Sequence, residues 1–211
     1  MSPSAEQVAR TWQTIETWLA RHAPRSRLRL PGPASEDRIR ATETELDLTM
    51  PEDLRAFYLL RNGTGPVSDF DWAEDIDAPD PSGYLFPAER GIAPLEKLPQ
   101  WFHGPVAAER IHGEPQRRYL AFTASDPDGF YGEFVDCTPG VDHGTVGSYA
   151  EADVARPGLW PSFAAYLVEM AEALTGLRQV NGDVPGVLPD GTLMWSNVDS
   201  PAEPGWTPIR P

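Results

Sequence analysis

The sequence predicts an α+β fold: a small mixed or antiparallel sheet, flanked by N-terminal helices and by one C-terminal helix. Three observations lead there. Apolar residues recur at helical spacing through the first 63 residues. From Gly65 onward the apolar runs become short and are bounded by Pro, Gly and Asp, as antiparallel strands usually are. A last helical stripe then follows Trp160. Helices, then strands, then a helix is the order of an α+β domain rather than of a doubly wound sheet.

Val8, Trp12, Ile15 and Leu19 line one face of a first helix over residues 5–22, with Trp18 beside them. Its tryptophans read as core anchors. The helix should stop before Pro24, because the residue preceding proline avoids the helical region. Residues 24–33 place Arg25, Arg27 and Arg29 in alternation around Leu28 and Leu30, which reads as an arm or a short edge strand. Ser35 then caps a helix running through Ile39 and Leu46. Thr49 is expected to cap the next helix, with Glu52 completing a capping box and Pro51 in the first turn. Leu54, Phe57, Tyr58 and Leu60 follow at helical spacing, and Asn62-Gly63 supplies a stop. The first 63 residues thus read as three helices.

Strands are expected over 83–86, 92–98, 118–123, 130–137 and 145–149, with Asp126-Pro127-Asp128-Gly129 as a turn. Ser162 opens the last helix, striped by Phe163, Leu167, Met170 and Leu174 and ended by Gly176. Residues 1–178 therefore read as one domain. Residues 179–211 read as a Gly/Pro-rich extension with a short hairpin around Pro189-Asp190-Gly191. Its Leu193, Met194 and Trp195 are expected to cover their own domain, which favours a monomer. The closing stretch, 201–208, is expected to be poorly ordered or pressed on the surface.

Composition narrows the function. The 211 residues include 17 basic and 32 acidic ones, a formal net charge of -15. That argues against a nucleic-acid binder, which needs a basic face, and against docking on anionic lipid. It suits a basic partner. Neither a leader segment nor an 18-residue apolar run is visible, so the expected location is cytoplasmic. No GxxxxGK[ST] or GxGxxG motif is present, and no cofactor is expected.

Chemistry-bearing residues are few. The histidines, His22, His103, His112 and His143, lack the paired spacing of a metal site. Cys137 is the single cysteine, which excludes an intramolecular disulfide and a thiolate cluster. With Asp136, Asp142 and His143 nearby it offers two alternatives, a metal site or an activated thiol. The plainer alternative is a small buried hydrophobe at a strand end, beside a loop histidine. The densest feature is residues 69–80, with six acids, no base and two aromatics. A solvated loop, a calcium site and a recognition surface all fit it, although the EF-hand series fails at Ala73. As a recognition surface, its contact residues are Asp69, Phe70, Asp71, Trp72, Glu74, Asp75, Asp77 and Asp80. Acids speed association with a basic partner, and aromatics anchor interfaces.

Several segments together resemble a known family. These are Trp12 to Leu19; Ala34 to Ile39 with Glu43 and Leu46; Met50-Pro51-Glu52-Asp53-Leu54-Arg55-Ala56-Phe57-Tyr58; and Asn62-Gly63. Arg118 to Phe122, Phe134-Val135-Asp136, Gly144 to Gly147 and Trp160 to Leu167 continue the likeness. Over residues 8–176 the chain resembles the SUKH superfamily, the group related to cell-wall assembly regulators. Gly129-Phe130 departs from it, since the family often has Gly-Asp there, and residues 179–211 have no counterpart. The resemblance implies an α+β domain and a non-catalytic role, with no catalytic residue to carry over. Many bacterial members are immunity proteins that neutralise toxin domains, often basic nucleases. Others are interaction scaffolds, so a regulatory scaffold is the alternative. A small hydrolase using Asp136, Cys137 and His143 is a third reading.

Overall fold

The computed structural model describes residues 2–65, 81–88, 90–104, 117–124, 131–150, 153–180, 182–199, 201 and 203–210. Helices and antiparallel sheets make an α+β architecture, with helices at the N-terminal side and a long one after the main sheet.

Helix α1 spans Pro3–His22 and buries Val8, Trp12, Ile15, Trp18 and Leu19. Its first turn is closed by the Ser2 hydroxyl, which accepts from the Ala5 N–H. Helix α3 (Glu36–Leu46) starts at Ser35, whose side chain accepts from the Arg38 N–H. Helix α4 (Glu52–Leu60) buries Leu54, Phe57 and Tyr58.

Three details of this region differ from the sequence reading. Residues Pro24–Arg29 form a short helix, α2, not an arm or strand. Pro24 presets the helical φ at the first position, and six residues are too few for a stripe to show. The N-terminal region therefore has four helices rather than three. Thr49 does not cap α4: Pro51 holds the N-cap position without a side-chain bond, and the Met50 N–H is taken by Glu43 Oε1 at 2.9 Å. Asn62-Gly63 does more than stop α4. The Asn62 side-chain Oδ1 accepts from the Leu95 N–H at 3.0 Å, and Gly63 sits at φ +91 with a Cβ position 2.7 Å from the Ile92 oxygen. The pair thus clamps the helical half onto the sheet.

The main sheet has the order β2-β4-β5-β6, formed by Tyr119–Ala121, Tyr131–Asp136, Val146–Ala150 and Arg156–Trp160. Its pairs are antiparallel. A two-stranded ribbon, β1 (Gly91–Ile92) with β3 (Thr123–Ala124), continues from β2. The strands expected over 83–86 and 92–98 are not formed. Gly83 closes a 3-10 turn, Phe86 makes a single bridge to Arg90, and the chain after Ile92 enters a 3-10 turn and then helix α5 (Leu98–His103). Strand β6 went unread because Pro157 and Gly158 interrupt it, as an edge strand permits. The turn expected at 126–129 lies outside the described residues.

Helix α6 (Phe163–Thr175) packs against α1 and α4. Ser162 caps it by accepting from the Ala165 N–H. Asp53 of α4 adds a second cap, its Oδ2 accepting from the Ala164 N–H at 2.8 Å. The core between helices and sheet is aromatic. Phe57 meets Trp12 edge-on at 5.1 Å, and Phe163 lies 5.6 Å from Phe57 and 5.3 Å from Phe122.

A second sheet, β8-β7-β9, is built from Leu193–Asn197, Asp183–Val187 and Thr207–Pro208. Leu193 and Trp195 join the main core, and the Trp195 indole donates to the Leu85 carbonyl at 3.0 Å. The closing stretch is anchored too: Trp206 is buried and donates to the Met194 carbonyl at 2.9 Å.

Candidate functional site

Strand β4 runs from Tyr131 at one end of the main sheet to Asp136 at the other. The two ends carry different chemistry.

At the Tyr131 end, several chain segments leave and re-enter the described structure close together. Tyr131 pairs with Ala150, and Ala124 pairs with Gly91. Gly132 lies so close to Thr123 that a Cβ there would collide with the Thr123 carbonyl oxygen. The Thr64 hydroxyl donates to the Gly83 carbonyl at 2.7 Å and accepts from the Ile92 N–H at 2.8 Å. Gly65 follows, at φ +148, with its Cβ position 2.7 Å from Gly83 Cα. The endpoints Gly65, Ala124, Tyr131 and Ala150, together with Gly83 and Gly91 one or two residues inside two others, are thus gathered by direct pairing or packing.

The segments joined to this end are 66–80, 89, 125–130 and 151–152. Together they contain ten acidic residues and no basic one. Asp69, Phe70, Asp71, Trp72, Glu74, Asp75, Asp77 and Asp80 all fall in the first and lie outside the described residues.

Beneath this end lies a charge network that the sequence did not reveal. Glu133, almost fully buried, is ion-paired to Arg90 through one carboxylate oxygen and accepts from the Thr123 hydroxyl with the other. The Glu133 N–H returns to Thr123 Oγ1 at 2.8 Å. Above the network, Tyr131 is 44% exposed and Val154 76% exposed. Large apolar groups left in water beside charge are of the type that anchors interfaces. The only sequence signal for Tyr131 was its place in the strand expected over 130–137, and Val154 had none.

At the opposite end the candidate catalytic group comes apart. Cys137 is buried, and burial, with Asp136 and Glu43 adding negative charge, pushes its thiol far up. A thiol so placed is not a thiolate nucleophile. The Asp136 carboxylate is occupied: Oδ1 accepts from the Thr138 N–H at 2.8 Å, and Oδ2 is paired with Arg117 at 3.0 Å. Arg117 also reaches Asp142 at 2.9 Å. These bonds fix the β4–β5 turn, and His143 points outward from it. An open cleft of about 910 Å³ lies beside the turn, lined by Arg40, Glu43, Asp47, Arg118, Cys137 and His143 among others. Asp47 pairs with Arg118 at 3.0 Å, and Glu43 with Arg55 at 2.5 Å, so the acids of the cleft are matched by cations. Among the described residues, no group of His, Cys, Asp or Glu is arranged to hold a metal ion. Among them also, no helix is long and apolar enough to cross a membrane.

Comparison with known proteins agrees with this geometry. The family model for the SMI1 / KNR4 family (SUKH-1) matches residues 33–169, which runs from the approach to α3 into α6. A KNR4/SMI1 homolog of the yeast Yarrowia lipolytica (strain CLIB 122 / E 150) is 26% identical over 190 residues. The match covers 89% of this chain and 24% of that relative, so the chain spans about a quarter of its length. Family membership is compatible with a non-catalytic interaction module. The helix–proline–helix unit, the central antiparallel strands and the closing helix all fall within or across the matched span, and the chain belongs to the SMI1/KNR4 family of the SUKH superfamily.

Proposed function

We propose that this chain is a protein-binding module of the immunity type, neutralising a basic toxin domain from its cytoplasmic location. Its contact set is Asp69, Phe70, Asp71, Trp72, Glu74, Asp75, Asp77 and Asp80. The observation that supports the reading most is the gathering of segment endpoints at the Tyr131 end of the sheet, since the segments attached there hold ten acids and no base. A concentrated field of one sign steers an oppositely charged partner and orients it. Exposed Tyr131 and Val154 on the same end supply apolar contact.

The test is capture from a lysate of the source organism at low and at high salt. Wild type is compared with a variant in which the six acids of 69–80 become Asn or Gln. The reading requires one basic protein that wild type holds at low salt, sheds at high salt, and that the variant loses. Equal capture by the variant sinks the contact set. No capture under either condition sinks the immunity reading.

One observation favours a second reading, a regulatory scaffold without a toxin. The yeast relative is about four times as long as this chain, so there the domain is one part of a larger protein. A toxin-domain gene adjoining this one would decide for the first reading.

A further inference from the structure

Helices α1 and α4 leave a trough between them on the outer side of the domain, of about 360 Å³. Its floor is Ala5 and Ala9 from α1, with Ala56, Leu59 and Leu60 from α4. Of these, Leu59 is 39% exposed. Side chains three and four apart share a helix face, so Ala5 with Ala9, and Ala56 with Leu59 and Leu60, form two facing apolar rows. Alanines lower each row, and a third helix can lie in the resulting groove by ridges-into-grooves packing.

The rim is acidic. Glu36 and Glu52 border the trough with Arg55. Arg55 is already shared between Glu36 at 2.6 Å and Glu43 at 2.5 Å, two carboxylates for one guanidinium. Glu52 is exposed and has no salt-bridge partner among the described residues. The rim therefore keeps uncompensated negative charge next to an apolar floor.

We propose that this trough seats an amphipathic helix of a basic partner protein. The helix lays its apolar stripe on Ala9, Ala56 and Leu59 and turns its Lys/Arg flank toward Glu36 and Glu52. This is a second docking face, built from helices and independent of the acidic segments.

The probe is a synthetic peptide of about 14 residues, Leu and Lys only, with Leu at i, i+3, i+4 and i+7. Its controls are the same composition with the stripe scrambled, and the same stripe with Glu in place of Lys. Binding is read on the full-length protein from the methyl resonances of Ala5, Ala9, Ala56 and Leu59. The expected result is saturable shifts at those methyls, absent with both controls. Affinity should fall at least about tenfold in the double variant Ala9→Gln, Ala56→Gln, which fills the trough with polar side chains on good helix formers. The variant with neutralised 69–80 acids should keep the same methyl shifts, which separates this proposal from the contact set above. Shifts spread elsewhere, or equal affinity in the double variant, overturn it. So does a concentration-dependent dimer that perturbs the same methyls without peptide, because a second copy would then be the occupant.

Discussion

The described residues and those outside them differ in charge balance. The described residues hold 20 acidic and 16 basic side chains, and the rest hold 12 acidic and one basic. In the scaffold, carboxylates answer a structural need: Glu133 meets Arg90, Asp136 meets Arg117, Glu43 meets Arg55, and Asp53 caps α6. Such groups are buried or half-buried, where an unpaired charge is costly. The remaining acids have almost no base in their own segments to balance them. Eleven of the 15 excess negative charges therefore lie in residues outside the described ones.

The comparison breaks first if buried scaffold charges prove dispensable. Glu133→Ala removes both anchors of the Arg90–Thr123 network and leaves the Arg90 guanidinium without its carboxylate. The expected cost is about 3 kcal/mol, in the range for breaking a buried pair from one side. The urea midpoint should fall with an unchanged slope. Asp136→Asn is milder, because one acceptor for the Thr138 N–H survives and Arg117 retains Asp142. About 1–2 kcal/mol is expected, read the same way.

Asp53 sharpens the comparison by pH. Burial raises its carboxyl above the ordinary range, against the lowering effect of the Ala164 and Leu54 N–H groups. An acid raised in the folded state contributes stability that is complete below its unfolded pKa. That contribution is lost as pH rises through the folded value. Asp53→Asn cannot titrate. From about pH 3 upward, past the ordinary carboxylate pKa near 4, wild type should lose stability relative to Asp53→Asn. A constant difference across that range would mean that the Asp53 carboxyl titrates alike in the folded and unfolded chain, and a wild type that gains stability with pH would mean that the fold holds it ionised.

Legibility followed the distance over which each feature is determined. Helices α1, α3 and α6 could be read because their stripes and Ser35 and Ser162 caps are local. Helix α2 was misread because alternating arginines mimic a strand over six residues, too short for a helical period to emerge. Residues 83–86 looked like a strand, but Gly83 is held against Thr64 and Gly65 instead of pairing along its length. The Asp53 cap was invisible: its partner lies 111 residues away, and an acid in a first helical turn already has a local explanation. At the candidate site, the acidic cluster was plain as composition. The gathering of its endpoints with those of 125–130 and 151–152 required the pairings Tyr131–Ala150 and Gly91–Ala124, which no local pattern encodes.

The smallest expected change in stability is also the sharpest test. Changing Asp69, Asp71, Glu74, Asp75, Asp77 and Asp80 to Asn or Gln removes six of the 15 excess negative charges. If these acids carry no scaffold bond, the melting temperature should stay within about 2 °C of wild type, less than a 1 kcal/mol change would produce. Any shift should be upward at low salt and vanish at high salt, because relief of self-repulsion is screened. Binding should move far more: association with a basic protein partner slows by at least about tenfold at low ionic strength and converges with wild type as salt rises. A destabilised variant would instead show that these carboxylates are tied into the fold, and the division between paired scaffold charge and surplus charge would fail at its largest segment.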